Sequence, residues 1–580
     1  MFNNIIYFII VLLIFNISFP ENTTENSLSY TLGMLLGCWL VFALYCRLGF
    51  KRLMVRFTGA KKGKDNFAGE YQGLILRLSM LSIFLFALDV YILNLKYWLQ
   101  IIPGLKQFSV LQGILALMLF IFYLSTIWYF AHPAYMVAFQ AKLTRFSFII
   151  SNIKLNLPII FPWLIISLII DLISLTPWSG PESFLNKPEG QILFFACFII
   201  VIMIFLPPLI QYWWGCRAFE PSERVKELET FLHEKGFKYR NLLNWPIFEG
   251  RMMTAGIMGI VPRYRYILIT DALMEILSLE ELKAVMAHEM GHARYRHFLF
   301  YMLFLLGYIV IVIGLYPFLL YYLTAQPMLI NALEGAGSQA ATLFYLVLSL
   351  PILITMFVYF RYVMGFFMRN FERQADLHSA VIMDGPRYTI SSLEKIALLG
   401  GKIRDLPSWH HFSIKERVDC LLRFLREPGL VKRHSRFLTI SFSFYLLSVM
   451  GFGYLFNFSP IKHNIEMANY RETIGAYEKI ILLDPTQPVA LNNLAWYLVT
   501  TPYEELRNPQ RALTLAGQAT AMEKSPMFLD TLAEAYYANG LIDEAIVTIN
   551  KAISLATEDV RYYEKQLKKF KERREKKKRR

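Results

Sequence analysis

The sequence predicts a mostly α-helical, polytopic membrane protein that ends in an α-helical repeat domain. Three observations carry this reading. The 580 residues are 56% hydrophobic and 18% charged, against about 45–50% apolar and about 25% charged in an average soluble domain. Nine apolar runs approach the roughly 20 residues that span a bilayer. After about residue 460 these runs give way to amphipathic helical patterns broken by short polar turns. The 16% aromatic content excludes a disordered chain.

The apolar runs lie near 4–20, 28–46, 78–95, 109–131, 157–175, 192–212, 298–323, 343–367 and 437–457. The first reads as a signal peptide or an uncleaved helix. It has no basic n-region and no small-residue cleavage site, which favours the helix. The organisation that follows is a membrane domain of about six spans over 1–212 and a core over 213–436 interrupted by spans 298–323 and 343–367. A last span at 437–457, repeats over 460–563 and a basic tail over 564–580 complete it. Lys and Arg gather after the second run (Arg47, Lys51, Arg52, Arg56, Lys61, Lys62, Lys64), after the fourth (Lys142, Arg145, Lys154) and before the ninth (Lys432, Arg433, Arg436). Positive loops face the cytoplasm, so 213–297 and 368–436 are expected there and the repeats on the other side. Asp89 falls within the third run. It reads as a helix–helix hydrogen bond or an interfacial residue beside Lys96, ahead of a functional charge in hydrocarbon.

The net charge of +15 is not a nucleic-acid signature. Residues 564–580 hold eleven Lys/Arg against three Glu, so the tail alone supplies more than half of it. No nucleic acid partner is expected; the surroundings are a lipid bilayer, and the tail reads as the frayed, solvated end of a last helix. The five cysteines (Cys38, Cys46, Cys197, Cys216, Cys420) show neither metal nor disulfide spacing. A metal would have to use other ligands.

Such ligands stand in Ser278–His297. Ser278 with Glu281 three residues on is a capping-box pattern that starts a helix. His288 and His292 are four apart, share one helix face and can reach one ion. Glu289 is rotated about 100° around the helix from His288, within reach of a water on that ion without binding it. This is the H-E-x-x-H pattern of zinc peptidases, in which the Glu takes the proton of a metal-acidified water as it attacks a carbonyl. Gly291 lets another backbone approach. A catalytic zinc usually takes a third protein ligand. In Met368–His378, Glu372 and Asp376 share a face: Glu372 would bind the ion and Asp376 would hydrogen-bond a ligand. By spacing alone, an ordinary charged helix start fits Met368–His378 as well.

The chain resembles the membrane-associated gluzincin metallopeptidases that include HtpX, the CAAX prenyl proteases and BepA, over roughly 210–425. Four pieces carry the resemblance: Tyr266–Met274, which resembles the lead into the active-site helix; Ala287–His292; Arg369–Asp376, close to R-x-x-E-x-x-A-D; and His411–Val418, similar to a late His-Pro motif followed by Arg and an aliphatic residue. The resemblance implies a small α/β zinc-metallopeptidase core with one Zn2+ per chain, Glu372 as third ligand and protein or peptide substrates. It places His411 near the metal, for transition-state stabilisation or gating, with the adjacent His410 as alternative, and Arg417 as a brace. Phe412 stands where the family has Pro. Met252–Ile257, with Thr254, Ala255 and Gly256 at its centre, would offer a strand edge to an extended peptide. His297 and His378 have no ligand role in the pattern and read as structural or surface residues. Residues 1–210 carry no motif. The expected function is a zinc endopeptidase of the bacterial inner (plasma) membrane that acts on membrane or misfolded proteins. The alternatives are an assembly factor or chaperone with secondary proteolysis, and a dedicated signalling or prenyl-protein-type protease.

The C-terminal segment looks tetratricopeptide-like. Leu532, Ala533 and Tyr536 mark one helix, Gly540 a turn, and Ala545, Ile549 and Ala552 the next. A degenerate unit precedes it, with Leu491, Leu494, Ala495 and Leu498, then Ala512, Ala516 and Ala519. Such an array either binds a protein partner or packs on its own membrane part.

Overall fold

Mostly apolar sequence becomes mostly helix. The computed structural model describes residues 2–17, 27–59, 67–105, 108–138, 143–175, 185, 187–250, 253–324, 326, 329, 332, 340–399, 411–458, 460–556 and 560–579. Among the described residues, seven helices are long and apolar enough to cross a membrane: Leu28–Phe57, Gly69–Tyr91, Ser109–Ala138, Glu189–Trp213, His297–Leu323, Thr342–Ile382 and Leu430–Phe456. The chain is a polytopic membrane protein. The run at 157–175 is not one straight span: Arg145–Asn156 and Phe161–Ile173 meet at 57°, with Pro158 in the break, where a missing N–H interrupts the helical ladder. The first run forms Phe2–Ile17, 16 residues, or about 24 Å at 1.5 Å per residue, short of the hydrocarbon thickness. Thr342–Ile382 has 41 residues, about twice what a bilayer takes. Its second half therefore leaves the membrane, carrying Glu372 with it.

The chain divides into two compact units, Met1–Ile313 with Gln326–Gly451, and Gly314–Ala325 with Phe452–Arg580. In the first, the N-terminal helices close on Phe8, Phe42, Phe86, Phe120, Tyr123 and Ile127. Asp89, 1% exposed, accepts a hydrogen bond from Tyr123 Oη at 2.7 Å, the helix–helix bond read from the sequence. Asp171 on Phe161–Leu175 accepts from Ser109 Oγ at 2.7 Å and from the Val110 N–H at 2.9 Å. It thereby caps the helix Ser109–Ala138 from outside.

A four-stranded sheet follows, β1 (Arg217–Ala218), β2 (Asn241–Asn244), β3 (Ala255–Met258) and β4 (Tyr266–Ile269), in the order β1-β2-β4-β3. β2 and β4 are parallel, and β3 is an antiparallel edge. Gly259 (φ 102°) turns β3 into β4; a Cβ there would lie 2.1 Å from Tyr264 O. Every residue of β4 is buried, because both sheet faces are covered. Ile267 and Ile269, with Leu242 of β2, pack on the helix Leu279–Arg294. Tyr266 and Leu268, with Leu243, join the core of the N-terminal bundle.

The second unit is a run of helices, Pro460–Leu483, Pro488–Thr500, Pro509–Met522, Pro526–Ala538, Ile542–Leu555 and Val560–Arg579. Four of them open on a proline, Pro460, Pro488, Pro509 and Pro526, where a missing N–H costs nothing. Ala495, Ala512, Ala516 and Ala519, all fully buried, let neighbouring helices close up. The expectation of a solvated tail does not hold for its first turns. Tyr563, Leu567 and Phe570 pack on Leu529, Ala533 and Ile549, and Lys569 Nζ lies 2.6 Å from Glu534. Apolar residues at 563, 567 and 570 share one helix face, a pattern the charge run hides.

Candidate metal centre

The motif helix Leu279–Arg294 begins as its capping box dictates. Ser278 Oγ accepts from the Glu281 N–H at 3.3 Å, and Glu281 Oε2 accepts from the Ser278 N–H at 2.7 Å. Glu281 also accepts from Ser391 Oγ and, at 2.7 Å, from Lys395 Nζ, fixing the helix start to Arg387–Leu399. Burial alone would raise its pKa, but the bonds from Lys395, Ser391 and Ser278 hold it down at about 2.

One turn before its end the motif helix meets Gly365–Ile382. A Cβ on Gly291 would lie 3.0 Å from Ala375 Cα and 3.2 Å from His378 Cβ, so glycine permits this crossing. The crossing brings three donors together. His288 Nε2 and His292 Nε2 are 3.2 Å apart; His288 Nε2 is 3.4 Å from Glu372 Oε2, and His292 Nε2 is 3.5 Å from Glu372 Oε1. A tetrahedral ion with bonds of about 2.0–2.1 Å has donor–donor edges of about 3.3–3.4 Å. The triangle therefore fits such an ion, and the group could hold a metal.

Each histidine is oriented from behind. Asp376 Oδ1 lies 2.9 Å from His288 Nδ1, and Arg417 grips the same carboxylate with two bonds of 2.7 and 2.6 Å. Burial would lower the His288 pKa, but Asp376 and Glu372 raise it to about 10. His292 is held through a different group. Its Nδ1 lies 2.9 Å from His297 Nδ1, and His297 Nε2 lies 2.9 Å from Gln374 Oε1. With the Gln374 amide nitrogen toward Ser435 Oγ at 3.0 Å, Oε1 faces His297. In that orientation the tautomer that leaves the His292 Nε2 lone pair for an ion has His297 protonated on Nε2 and accepting from His292 Nδ1–H on Nδ1. Burial presses the His292 pKa well below its usual value, consistent with a neutral ring.

Glu289 lies beside the triangle. Its Oε2 accepts the Ile257 N–H of edge strand β3 at 3.1 Å. Burial, with the Glu372 charge, raises its pKa to about 7 against the opposing charge of His288. Thr254 exchanges bonds with Thr270 on the β4 side. By strand alternation, Ala255 and Ile257 turn their main-chain groups away from β4 and Gly256 turns toward it. Of the three strand residues named from sequence, Ala255 thus faces the outer edge, as does Ile257, whose N–H is taken by Glu289.

His411 Nδ1 lies 3.1 Å from Glu372 Oε2. Phe412 sits under two guanidinium groups, Arg373 at 4.1 Å and Arg369 at 5.9 Å from its ring, a cation–π seat where a proline would offer none. His410 and Met252 lie outside the described residues. His378 sits at the crossing beside Gly291, its ring 5.7 Å from that of Tyr295. His297 is structural as expected, but its link to a candidate ligand has no motif to announce it. Helical spacing puts it off the His288–His292 face; Arg296, at φ 58°, breaks the helix and swings it back.

Residues 223–447 match the family model described as Peptidase family M48. Two curated relatives are described as protease HtpX homologues. That of Aeropyrum pernix is 25% identical over 201 residues, covering 34% of this chain and 59% of the relative. That of Thermoplasma acidophilum is 27% identical over 206 residues, covering 35% and 60%. The chain thus spans about three-fifths of the length of these relatives. Among solved structures, S. mikatae Ste24p is 15% identical with a TM-score of 0.38, covering 72% of this chain and 98% of that one. The resemblance to membrane-associated gluzincin metallopeptidases stands, over the segment that holds the candidate metal centre.

Proposed function

We propose that this protein is an integral-membrane zinc endopeptidase. The observation that carries the reading is the donor triangle of His288, His292 and Glu372 with the Glu289 carboxylate beside it; the match to peptidase family M48 adds to it. Two imidazoles and one carboxylate suit zinc. Bound there, zinc would polarise the scissile carbonyl and acidify a water. Glu289 accepts the proton of the attacking water and returns it to the leaving amine. Asp376, steadied by Arg417, and His297 keep the two ligand rings in place. His411 offers a hydrogen bond to the developing oxyanion. A substrate in extended form pairs along Ala255–Ile257 by main-chain hydrogen bonds, which tolerate varied side chains and suit membrane or misfolded proteins. The Lys/Arg-rich loops support a cytoplasmic position for this centre, in what we read as a bacterial inner membrane, and the C-terminal helices, read as tetratricopeptide-like, are read as extracytoplasmic. Those helices would take a protein partner.

The test is cleavage of an unfolded casein-like substrate by detergent-purified full chain, wild type beside Glu289→Gln, with metal content measured on both. Both should carry about one zinc per chain, with cleavage by the wild type alone and a loss of at least about 100-fold in the variant. Equal cleavage by both proteins would remove Glu289 from the reaction and with it this mechanism.

A further inference from the structure

The N-terminal helices lack any motif, yet they touch the segment that leads into β3. Phe248, seven residues before Ala255, is 7% exposed and holds φ 49°, a left-handed backbone that a bulky side chain adopts only when its surroundings over-determine it. The surroundings are aromatic. Its ring stacks on Tyr135 at 6.0 Å and 26° and lies 6.1 Å from Phe148, and those two rings are 4.6 Å apart. Both belong to N-terminal helices, Ser109–Ala138 and Arg145–Asn156. Just upstream, Trp245 stacks on Trp214 at 4.7 Å. The Trp213 and Trp214 indoles both donate to Lys154 O, at 3.1 and 3.0 Å.

The same bundle supports the sheet from below. Tyr266 and Leu268 of β4 are part of its core, and Met258 of β3 packs against it. β3 is tied to β4 along its length, and its outer edge reaches Glu289 through the Ile257 N–H. A continuous packed path therefore runs from the N-terminal helices through Phe248 and β4 to the strand beside the proposed general base.

We propose that the N-terminal membrane bundle positions the substrate-pairing strand: the Tyr135–Phe148 clamp on Phe248 and the bundle-covered sheet face hold β3 at its working distance from Glu289. This rests on the reading of β3 as the substrate edge. Phe248 is a positioning residue and touches no substrate.

Hydrogen–deuterium exchange on the detergent-solubilised full chain tests it without relying on catalysis. Phe248→Ala removes the clamped ring. Phe248→Gly removes the ring and also relieves the left-handed backbone, so it separates the clamp from the strain. Tyr135→Phe keeps the stack and serves as the conservative control. Both Phe248 variants should exchange about tenfold faster at 253–258, with 279–294 within about twofold of wild type and zinc content unchanged. Tyr135→Phe should match wild type. With a casein-like peptide the same variants should raise KM several-fold and leave kcat nearly unchanged. Unchanged exchange at 253–258 in both Phe248 variants overturns the proposal, as does parallel loosening of 279–294, which would signal general destabilisation. Should the wild type cleave nothing, the peptidase reading fails while exchange still decides whether the bundle holds the strand.

Discussion

At the scale of single residues, the centre is asymmetric. His288 is backed by a carboxylate that Arg417 clamps, and His292 by a neutral imidazole buried to 0% exposure and stacked on Phe371 at 4.3 Å. A carboxylate partner makes an imidazole a stronger donor, so as ligands the two would be of unequal strength, and the weaker would depend on His297. His297→Phe keeps a flat ring on Phe371 but removes the acceptor for His292 Nδ1–H. Zinc affinity, read by chelator competition, should fall about 10–100-fold, with the thermal midpoint near wild type and an altered Co2+ spectrum. An unaltered affinity would reduce His297 to packing. His288, His292 and Glu289 were legible from spacing, because one helix carries all three. Glu372 was a candidate from its spacing with Asp376 and was singled out only by the family motif, because four-residue spacing of acids is common on helix surfaces. The acceptor role of His297 was not legible, since it needs the break at Arg296 and the arrival of Gln374 from another helix.

At the scale of elements, the capping box at Ser278 and the crossing at Gly291 did what their residue types foretold. The basic tail did not, because long-range packing overrode a solvated charge run. Phe570, fully buried against the preceding hairpin, anchors the last helix. Phe570→Ala should cost about 3–5 kcal/mol of local stability. Trypsin should then trim residues 560–580 many-fold faster while the helices over 488–555 keep their melting behaviour. Equal trimming rates in the two proteins would show that the helix is not docked by that ring.

At the scale of the whole molecule, Glu281 links the motif helix to Arg387–Leu399 and sets an acid limit for the first unit. Its folded-state pKa of about 2 lies below the ordinary 4.5, so its contribution is fully present above about pH 4.5 and is lost as the pH falls toward 2. The shift is on the order of 3 kcal/mol. Glu281→Gln should lower the thermal midpoint at neutral pH, and the gap to wild type should narrow as the pH falls from about 4.5 toward 2. A gap independent of pH would place the effect in packing rather than in the carboxylate charge.

The sequence by itself determined the membrane class, the helical content and the H-E-x-x-H constellation, because hydropathy and helical periodicity are local properties of the chain. It named a strand edge near residue 255 from family resemblance. Only the tertiary structure decided that Ala255 and Ile257 present that edge, that His297 braces His292, and that β4 is covered on one face by the motif helix and on the other by the N-terminal bundle. These depend on which distant segments meet, and a run such as Tyr266–Ile269, apolar at every position, says that both faces are buried without saying what buries them.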